Sequence, residues 1–452
     1  ATDAAVRDNA AEIVARTPKI VRKVSGYNLA GVLASRARHG TGELHPPVNT
    51  AGSPRSLVPL IVGSEGTLAV LEAAELALVP RPKYRGLLVP QFDSLRAALD
   101  ALAVCLELGP SAVELMDRML IDLARNQRSL KDTMAAVRGR PEALLMVEFS
   151  SDDAADVSYR VHELERRLGP AVGRLASVPA LDPAVRDPLW ALRSSAVPLL
   201  GGMPGDGKPA TFVEDCAVAP ERLPEFATRF REIFHRHGTD GAFYGHASVG
   251  CLHIRPVLNL HDPNDVVRMR RIMEDVSDLV LSFNGSLSGE HGDGLVRSEW
   301  NRKMFGPAVY EAFRQVKRGF DPENVLNPGK VVDGPAMEEN WRVPPGPVPA
   351  DPPTVLDFGR QGGFFRSAEA CNGAGVCRKT QGGAMCPSYR ATRDEMHTTR
   401  ARANALRISL SAEFGTRNAE SKTGGSGGGS SHSALRTPHS ALSDRWVHDV
   451  MD

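Results

Sequence analysis

The chain has 452 residues, of which 42% are hydrophobic and 24% are charged, a composition typical of a globular protein with two or three domains. Its 54 basic and 54 acidic side chains cancel, so no net field favours binding to a nucleic acid or an anionic bilayer. No secretory signal and no run of about 18 apolar residues is present, which argues against a transmembrane helix. Six cysteines are too few for a disulfide scaffold in a chain of this length.

Residues 1–82 mix helical and β-like segments, as part of an α/β unit would. Short β-like runs are predicted at Ile61-Val62 and at residues 68–71, with the turn residues Gly63, Ser64 and Gly66 between them. The sequence of residues 80–82, Pro-Arg-Pro, predicts a boundary after this segment.

Helices and strands alternate between residues 86 and 329. Residues 93–108 have a helical period and end at a Gly-Pro stop signal, and two further amphipathic helices are predicted to end at Gly238 and at Asn284-Gly285. Their apolar faces consist of Phe226, Phe230, Ile233 and Phe234 in the first, and of Met269, Ile272, Met273, Val276, Leu279, Val280 and Phe283 in the second. We expect both faces to pack in the core.

Two segments of biased composition follow. Residues 344–353 contain six prolines, which predicts a semi-rigid spacer between domains. Residues 422–433 consist mostly of glycine and serine and cannot bury a core, so they are predicted to be disordered.

Two glycine-containing loops are candidate cofactor contacts. The sequence of residues 62–68, Val-Gly-Ser-Glu-Gly-Thr-Leu, lets backbone N–H groups approach a polyanion closely, but it equally suits an ordinary tight turn. Residues 23–29, Lys-Val-Ser-Gly-Tyr-Asn-Leu, form a second such loop, whose alternative interpretation is a helix start capped by serine or asparagine.

Two histidines and an acidic loop form the strongest candidate site. His246 ends one predicted strand and His253 lies in the next, so a hairpin would direct both imidazoles into one cleft. Glu290 and His291 follow about forty residues later, flanked by glycines that expose them. Two histidines and a carboxylate are a common ligand set for a divalent metal. The alternative, two core histidines and a surface turn, stays open from spacing alone.

Three of the six cysteines, Cys371, Cys377 and Cys386, fall within sixteen residues, and Pro387 follows the last. Close thiolates separated by glycine and ending in Cys-Pro suit a soft metal or an iron–sulfur cluster. Three thiolates cannot complete a four-ligand site, so a zinc ribbon that lacks one ligand, or free thiols, remain alternatives.

Six motifs occur in the order found in one family, and together the sequence resembles the FAD-linked D-2-hydroxy acid dehydrogenases, which include D-lactate, glycolate and D-2-hydroxyglutarate dehydrogenases. The motifs begin at Lys23, Val62, Val113, Gly245, Gly289 and Asp321. The segment after residue 361 resembles the first cysteine motif of the branch that is fused to an iron–sulfur domain. No pyrophosphate loop precedes Lys23 and no second cysteine motif follows, so we expect an internal piece of a longer protein.

The resemblance implies an α+β fold with a vanillyl-alcohol-oxidase-type flavin domain. The implied domains are the C-terminal half of the FAD-binding domain (1–82), a cap or substrate domain (83–335), a proline-rich linker (336–360), the first half of a ferredoxin-like 4Fe-4S domain (361–410), and a flexible insert with an incomplete helix (411–452).

The resemblance also implies roles for individual residues. His246, His253 and Glu290 match the ligands of a divalent metal of the Zn, Mn or Fe type, and His291 matches the general base. The implied FAD contacts are Gly26, Tyr27, Asn28, Gly63, Ser64, Glu65, Gly66, Asn327 and Lys330. The implied ligands of a 4Fe-4S cluster are Cys371, Cys377 and Cys386.

Arginines are the expected contacts of the substrate. Arg193 matches the arginine that binds the substrate carboxylate in a bidentate manner, and Lys208 is a candidate to assist it. Arg255 replaces an asparagine of many relatives, and a second cation favours a diacid such as D-2-hydroxyglutarate over D-lactate.

The function implied is therefore oxidation of a D-2-hydroxy acid by FAD, with electrons passed through iron–sulfur clusters to a quinone or protein acceptor. A cytoplasmic location is expected, with peripheral attachment to the inner face of the membrane and homo-oligomer formation left open. Two other classes remain: a metal-dependent hydrolase that uses the same histidines, and a non-catalytic electron-transfer module built around the cysteines.

Overall fold

The computed structural model describes residues 2–35, 56–169, 172–339, 341–342, 345–382 and 386–423, with side chains described as far as residue 411. The described residues divide into two compact units. The first consists of the described residues within 1–196 and 208–345, and the second of those within 197–207 and 346–452.

One sheet of eight strands forms the centre of the first unit. The strands are β1 Tyr84–Phe92, β2 Ala112–Asp117, β3 Ala143–Ser151, β4 Arg174–Ala180, β5 Lys208–Pro209, β6 Cys216–Ala217, β7 Gly241–His246 and β8 Cys251–Leu258. Their order is β4-β1-β3-β2-β7-β8-β5, with β6 also paired to β8, and every pairing is antiparallel. β2 therefore lies beside the β7–β8 hairpin although more than 120 residues separate them, which places Glu114 opposite His246.

Helices pack on the sheet of the first unit and also make up the second unit. They are α1 Thr2–Asp8, α2 Ala10–Arg16, α3 Leu29–Ala34, α4 Val58–Ile61, α5 Leu95–Asp100, α6 Leu102–Glu107, α7 Arg118–Arg125, α8 Lys131–Met134, α9 Ala154–Arg167, α10 Pro183–Ser194, α11 Ala196–Gly201, α12 Leu223–Arg236, α13 Pro263–Ser282, α14 Gly294–Arg297, α15 Asn301–Phe320, α16 Phe364–Glu369, α17 Pro387–Thr392 and α18 Thr399–Thr423. Aspartates cap several N-termini, as Asp262 does for α13, where Pro263 supplies a preset φ angle.

The two long amphipathic helices predicted from the sequence are confirmed as α12 and α13. Phe226, Phe230 and Phe234 are fully buried, and the ring of Phe226 meets that of Phe283 edge to face at 5.3 Å. The helical segment at residues 93–108 is also confirmed, although a break at Ala101 divides it into α5 and α6. The α+β class is confirmed, because the strands of the sheet pair antiparallel and the helices do not alternate with them as crossovers between parallel strands.

The β-like runs predicted at residues 61–62 and 68–71 are wrong. Ile61 ends the short helix α4, which has Pro59 at its second position, and residues 69–82 are described but form neither a helix nor a strand. β-Branched composition alone does not make a strand, because a strand forms only where a neighbouring edge can pair with it.

The second unit is small and helical. α16, α17 and α18 belong to it, and Cys377, Cys386 and Tyr389 form a compact buried cluster. Most of the segment predicted to be disordered lies outside the described residues, as does the end of the 411–452 segment, where the incomplete helix is expected. The domain boundaries taken from the resemblance stay a prediction. Within the described residues, none of the helices is both long enough and apolar enough to cross a bilayer.

Candidate active site

The β7–β8 hairpin brings two predicted ligands together. Tyr244 pairs with His253 across the hairpin, and Gly250 makes the turn with a φ angle of 73° that favours glycine. His246 Nε2 lies 3.0 Å and His253 Nε2 lies 3.5 Å from the same atom, Glu290 Oε1. The two histidines and the glutamate predicted from the sequence thus converge on one point.

Asp215 fixes the loop that carries Glu290. Its fully buried carboxylate accepts hydrogen bonds from the backbone N–H groups of Glu290 at 2.9 Å and His291 at 2.6 Å, and from the Ser288 hydroxyl at 2.6 Å. Burial raises the pKa of Asp215, but these hydrogen bonds outweigh it, so the net pKa is lowered. The loop is therefore held by an ionised carboxylate beneath it.

Glu65 holds the other end of the same loop. Its carboxylate accepts from the backbone N–H groups of Asp293 at 2.6 Å and Gly294 at 2.8 Å. Arg297 donates two hydrogen bonds to the carbonyl of Gly292. Glu290 and His291 consequently sit on a loop that is anchored on both sides.

Two buried glutamates each join an arginine to a histidine of the site. Glu114 Oε1 lies 2.7 Å from His246 Nδ1, and Glu114 Oε2 accepts from Arg193 at 2.8–2.9 Å. We call Arg193, Glu114 and His246 the Glu114 triad.

The second group has the same composition. Glu214 Oε1 lies 3.2 Å from His291 Nδ1, and Glu214 Oε2 forms an ion pair with Arg255 at 2.6 Å. We call Arg255, Glu214 and His291 the Glu214 triad. The guanidinium carbons of the two arginines lie 5.2 and 5.7 Å from the centre of the Tyr244 ring, so both triads adjoin this residue.

The pKa values of the three imidazoles do not shift in the same direction. The Glu114 carboxylate raises the pKa of His246, and the Glu214 carboxylate raises the pKa of His291. Burial, followed by repulsion from those two histidines, lowers the pKa of His253 to about 3. The His253 and His291 rings are stacked at 4.9 Å, which a neutral His253 permits. A neutral imidazole with a free lone pair is the form that binds a metal.

The donor set suits a divalent metal. Imidazole nitrogens of His246 and His253 and a carboxylate oxygen of Glu290 are the ligands that Zn, Mn or Fe sites combine. Asp215 also approaches this group, since its ligand atom and those of His253, Glu290 and His291 all lie within 4.8 Å of one another. Arg22 contacts the second oxygen of Glu290 at 3.3 Å, which leaves Oε1 to face the two histidines.

The glycine loops predicted to contact FAD lie next to this site. Gly26 N donates to Asp293 at 2.7 Å, and the Tyr27 hydroxyl lies 2.7 Å from Thr67 Oγ1, which joins the two loops. A Cβ at Gly26 would lie 2.5 Å from the Phe313 ring, so packing alone requires glycine there. Asn28 caps α3, which confirms the alternative interpretation for this residue.

Gly63 and Gly66 shape the turn of the second loop. Both have positive φ, and no atom lies within 4 Å of the space where a Gly66 Cβ would be, so the turn is open to a ligand. Ser64 is buried against the carbonyl of Ile61. A cavity of about 110 Å³, room for a few waters, adjoins the first loop and is lined by residues 23–30 together with Val62, Ser286 and Phe313. The described residues thus fit one wall of a flavin site.

The remaining predicted contacts are dispersed. Asn327 Nδ2 donates to the carbonyl of Glu65 at 2.6 Å, and Lys330 Nζ lies 3.4 Å from the carbonyl of Pro328. Lys208 is exposed on the edge strand β5. It pairs with Leu258, which lies five residues after His253 in β8.

The cysteines belong to the second unit. Cys386 Sγ accepts from the backbone N–H of Thr399 at 3.1 Å; burial raises its pKa, but this bond and the Thr399 hydroxyl outweigh burial and lower it. Among the described residues, no three ligand atoms that include a cysteine sulfur come together as the donors around Glu290 do. Cys371, Cys377 and Cys386 therefore do not fit a cluster by themselves.

Sequence reasoning missed Glu114, Glu214 and Asp215. Each is a carboxylate inside a strongly apolar run, Val113-Glu114-Leu115 in one case and Val213 to Val218 in the other. Acidic side chains in such runs are buried only when they have partners, so this pattern was the signal that could have identified them.

Comparison with known proteins identifies the domain that carries this site. The family model for FAD linked oxidases, C-terminal domain, matches residues 81–331, more than half of the chain. A D-2-hydroxyglutarate dehydrogenase of Escherichia coli K12 is 32% identical over 410 residues, which are 87% of this chain and 38% of that protein. A D-lactate dehydrogenase of Archaeoglobus fulgidus is 29% identical over 280 residues, 61% of this chain and 58% of that protein.

Among solved structures, p-cresol methylhydroxylase with substrate bound has a TM-score of 0.42 at 14% identity and covers 58% of this chain and 55% of that one. The chain spans about two fifths of the length of the D-2-hydroxyglutarate dehydrogenases it matches. His246, His253, Glu290 and His291 all fall inside the matched domain. The chain belongs to the FAD-linked oxidases.

Proposed function

We propose that the protein oxidises a D-2-hydroxy acid to the 2-oxo acid, with FAD as the hydride acceptor. The observation that carries this proposal is the convergence of His246, His253 and Glu290 on one point, with His291 beside them. Alcohol oxidation needs a metal that binds the hydroxyl oxygen and a base that accepts its proton. The three donors would hold the metal, and the adjacent imidazole would be the base.

His246, His253 and Glu290 would hold the metal, and the two glycine loops with Asn327 would face the flavin. When bound, the metal lowers the pKa of the substrate hydroxyl and the flavin accepts the hydride from C2. Every other task falls to side chains of this chain. His291 accepts the hydroxyl proton, and Arg193 binds the substrate carboxylate, which orients C2 and its hydrogen.

Arg193 is suited to that task because it is fixed before substrate arrives. Its side chain is 13% exposed and is held by Glu114 and over the Tyr244 ring. A planar guanidinium presents five donors, so the bond to Glu114 leaves others for a carboxylate. The buried position excludes water and strengthens that interaction.

D-2-hydroxyglutarate is the substrate we propose first. The D-2-hydroxyglutarate dehydrogenases match 87–90% of this chain at 29–32% identity, whereas the D-lactate dehydrogenase matches 61%. Arg255 would bind the distal carboxylate, in competition with Glu214, which lies 2.6 Å away. Because the described cysteines do not fit a cluster, we derive no electron-transfer step and propose only that a quinone or protein acceptor reoxidises the flavin.

The test uses the flavin- and metal-loaded protein, mixed anaerobically with D-2-hydroxyglutarate while the flavin absorption band is followed. We expect the band to bleach with one equivalent of 2-oxo acid formed. His291→Ala should retain FAD but lose bleaching by about 100-fold or more, because general-base catalysis contributes this much. A metal-dependent hydrolase would show no flavin band, and bleaching at the wild-type rate in His291→Ala would exclude His291 as the base.

A further inference from the structure

Glu214 is buried between two groups that it can contact at the same time. Its side chain is 12% exposed, with Oε2 at 2.6 Å from Arg255 and Oε1 at 3.2 Å from His291 Nδ1. The Arg255 guanidinium is permanently charged and only donates hydrogen bonds. One end of the Glu214 carboxylate is therefore ion-paired with Arg255, and the other end faces the imidazole.

A carboxylate only accepts hydrogen bonds, so the nitrogen that faces Glu214 must carry the proton. That nitrogen is Nδ1 of His291, which leaves the lone pair of the neutral ring on Nε2. Nε2 lies 3.8 Å from Glu290 Oε1, on the side where the metal donors converge. Stacking on His253, with only 9° between the ring planes, holds the plane of the His291 ring.

We propose that Glu214, fixed by Arg255, is the positioning residue that keeps the proton of His291 on Nδ1 and its lone pair on Nε2. The inference rests on the proposed function for the role of Nε2 as a base, but the location of the proton can be measured without turnover. It assigns Arg255 a task that does not depend on the number of carboxylates in the substrate.

Glu214→Gln is the decisive variant, because it keeps the shape and makes the two ends of the side chain unequal. Arg255 can only donate, so it attracts the amide oxygen, and the amide NH₂ then faces His291. Nδ1 must become the acceptor and the proton moves to Nε2, where it blocks the base. Removing Arg255 in the same protein frees the amide to turn its oxygen toward Nδ1, so Glu214→Gln/Arg255→Met should restore the original arrangement.

The first measurement is ¹⁵N NMR of histidine-labelled protein at alkaline pH, with His291 identified by its loss in His291→Ala. We expect an Nδ1–H tautomer in the wild type, Nε2–H in Glu214→Gln, and Nδ1–H again in the double variant. An Nε2–H wild type, or a tautomer that does not change in Glu214→Gln, would overturn the proposal. Glu214→Asp, which keeps a charged acceptor, must retain Nδ1–H and serves as the second variant should the glutamine protein not fold.

The second measurement is turnover of D-lactate, which has no distal carboxylate for Arg255 to bind. We expect kcat to fall about 100-fold or more in Glu214→Gln with KM little changed, and to recover about tenfold in the double variant. A double variant no faster than Glu214→Gln would contradict the proposal, because a merely structural role makes two substitutions worse than one. If no 2-hydroxy acid is oxidised by the wild type while the tautomers change as expected, the proposed function fails and the positioning role stands.

Discussion

The Glu114 triad and the Glu214 triad have the same composition but hold their histidines at different distances from Glu290. His246 Nε2 lies 3.0 Å from Glu290 Oε1, whereas His291 Nε2 lies 3.8 Å from it. In both cases the glutamate engages Nδ1 and directs Nε2 toward the cleft. Under the proposed function, the same hydrogen-bonding arrangement would serve a metal ligand in one triad and a base in the other.

The two triads also differ in the backbone segments that carry them. Glu114 and His246 lie on the neighbouring strands β2 and β7, where they are cross-strand partners. Glu214 and His291 lie on connections outside regular strands, and Asp215 joins these segments through hydrogen bonds to the loop of residues 288–291. Under the proposed function, the strand-based pair would hold a metal ligand, and the loop-based pair would hold a residue that exchanges a proton during each turnover.

The comparison predicts that replacing the two glutamates by glutamine affects metal affinity differently. Glu114→Gln turns an amide NH₂ toward His246 Nδ1, since Arg193 attracts the oxygen, and this leaves the proton on the ligand nitrogen. We expect metal affinity to fall by about 10–100-fold, whereas Glu214→Gln should retain its metal. Metal content after dialysis against graded chelator measures both.

Glu290→Ala removes a ligand itself and should lose more metal than either glutamine variant. Equal metal loss in the Glu114 and Glu214 variants would show that the triads do not differ in the way proposed, and full activity in metal-free protein would remove the metal from the mechanism.

Sequence patterns predicted the parts of the molecule that depend on local order. The helix with the phenylalanine face, the helix that ends at Asn284-Gly285, and the hairpin that joins His246 to His253 all formed as expected. In each case the periodicity of buried side chains and a glycine at a turn contain the information. The motif order also indicated the family correctly, because a chain keeps the order of its motifs however it folds.

The carboxylates of the site could not be predicted in this way. Glu114 contacts His246 across 132 residues of sequence, and Glu214 contacts His291 across 77. Such contacts depend on strand order, which no local pattern determines. The β-like runs near Val62 and Val70 failed for a related reason, since pairing requires a neighbouring edge that the sequence of the strand does not reveal.

The arginines of the two triads provide the next test, with a smaller expected effect. Arg193→Ala should lower kcat/KM for mono- and diacids alike, because both have the carboxylate that it binds. The loss should be about 30-fold or more, given that removing one partner of a buried charge pair costs on the order of 2–5 kcal/mol. A panel of D-lactate and D-2-hydroxyglutarate measures it.

Arg255→Ala separates two roles on the same panel. A loss confined to D-2-hydroxyglutarate would support Arg255 as the contact of the distal carboxylate. A similar loss for both substrates would support its role in fixing Glu214 and would remove this argument for a diacid. Unchanged turnover of both substrates would contradict both of the roles proposed for Arg255.

The smallest expected effect is on the stability of the strands that carry the Glu114 triad. Asp117 ends β2, the strand of Glu114, and its carboxylate accepts from the backbone N–H of Phe243 in β7 at 2.7 Å and from that of Leu120 at 3.3 Å. Burial raises the pKa of Asp117 to about 7, although these two hydrogen bonds oppose the rise. The folded protein therefore holds a proton that the unfolded chain has already released above its ordinary pKa of 3.8.

The sign of the pH dependence follows from that difference. Between about pH 4 and the folded pKa of about 7, the folded state binds the extra proton, so the Asp117 contribution to stability decreases as the pH rises through this window and stays constant above it. The slope is at most about 1.4 kcal/mol per pH unit.

Asp117→Asn cannot ionise but still has an oxygen that accepts one of the two hydrogen bonds. We expect the variant to be less stable than the wild type at pH 5 and to approach or exceed it at pH 8, by a few degrees in Tm. A Tm difference between Asp117→Asn and wild type that is the same at both pH values would show that Asp117 is ionised throughout, and that the strands carrying the Glu114 triad do not titrate in this range.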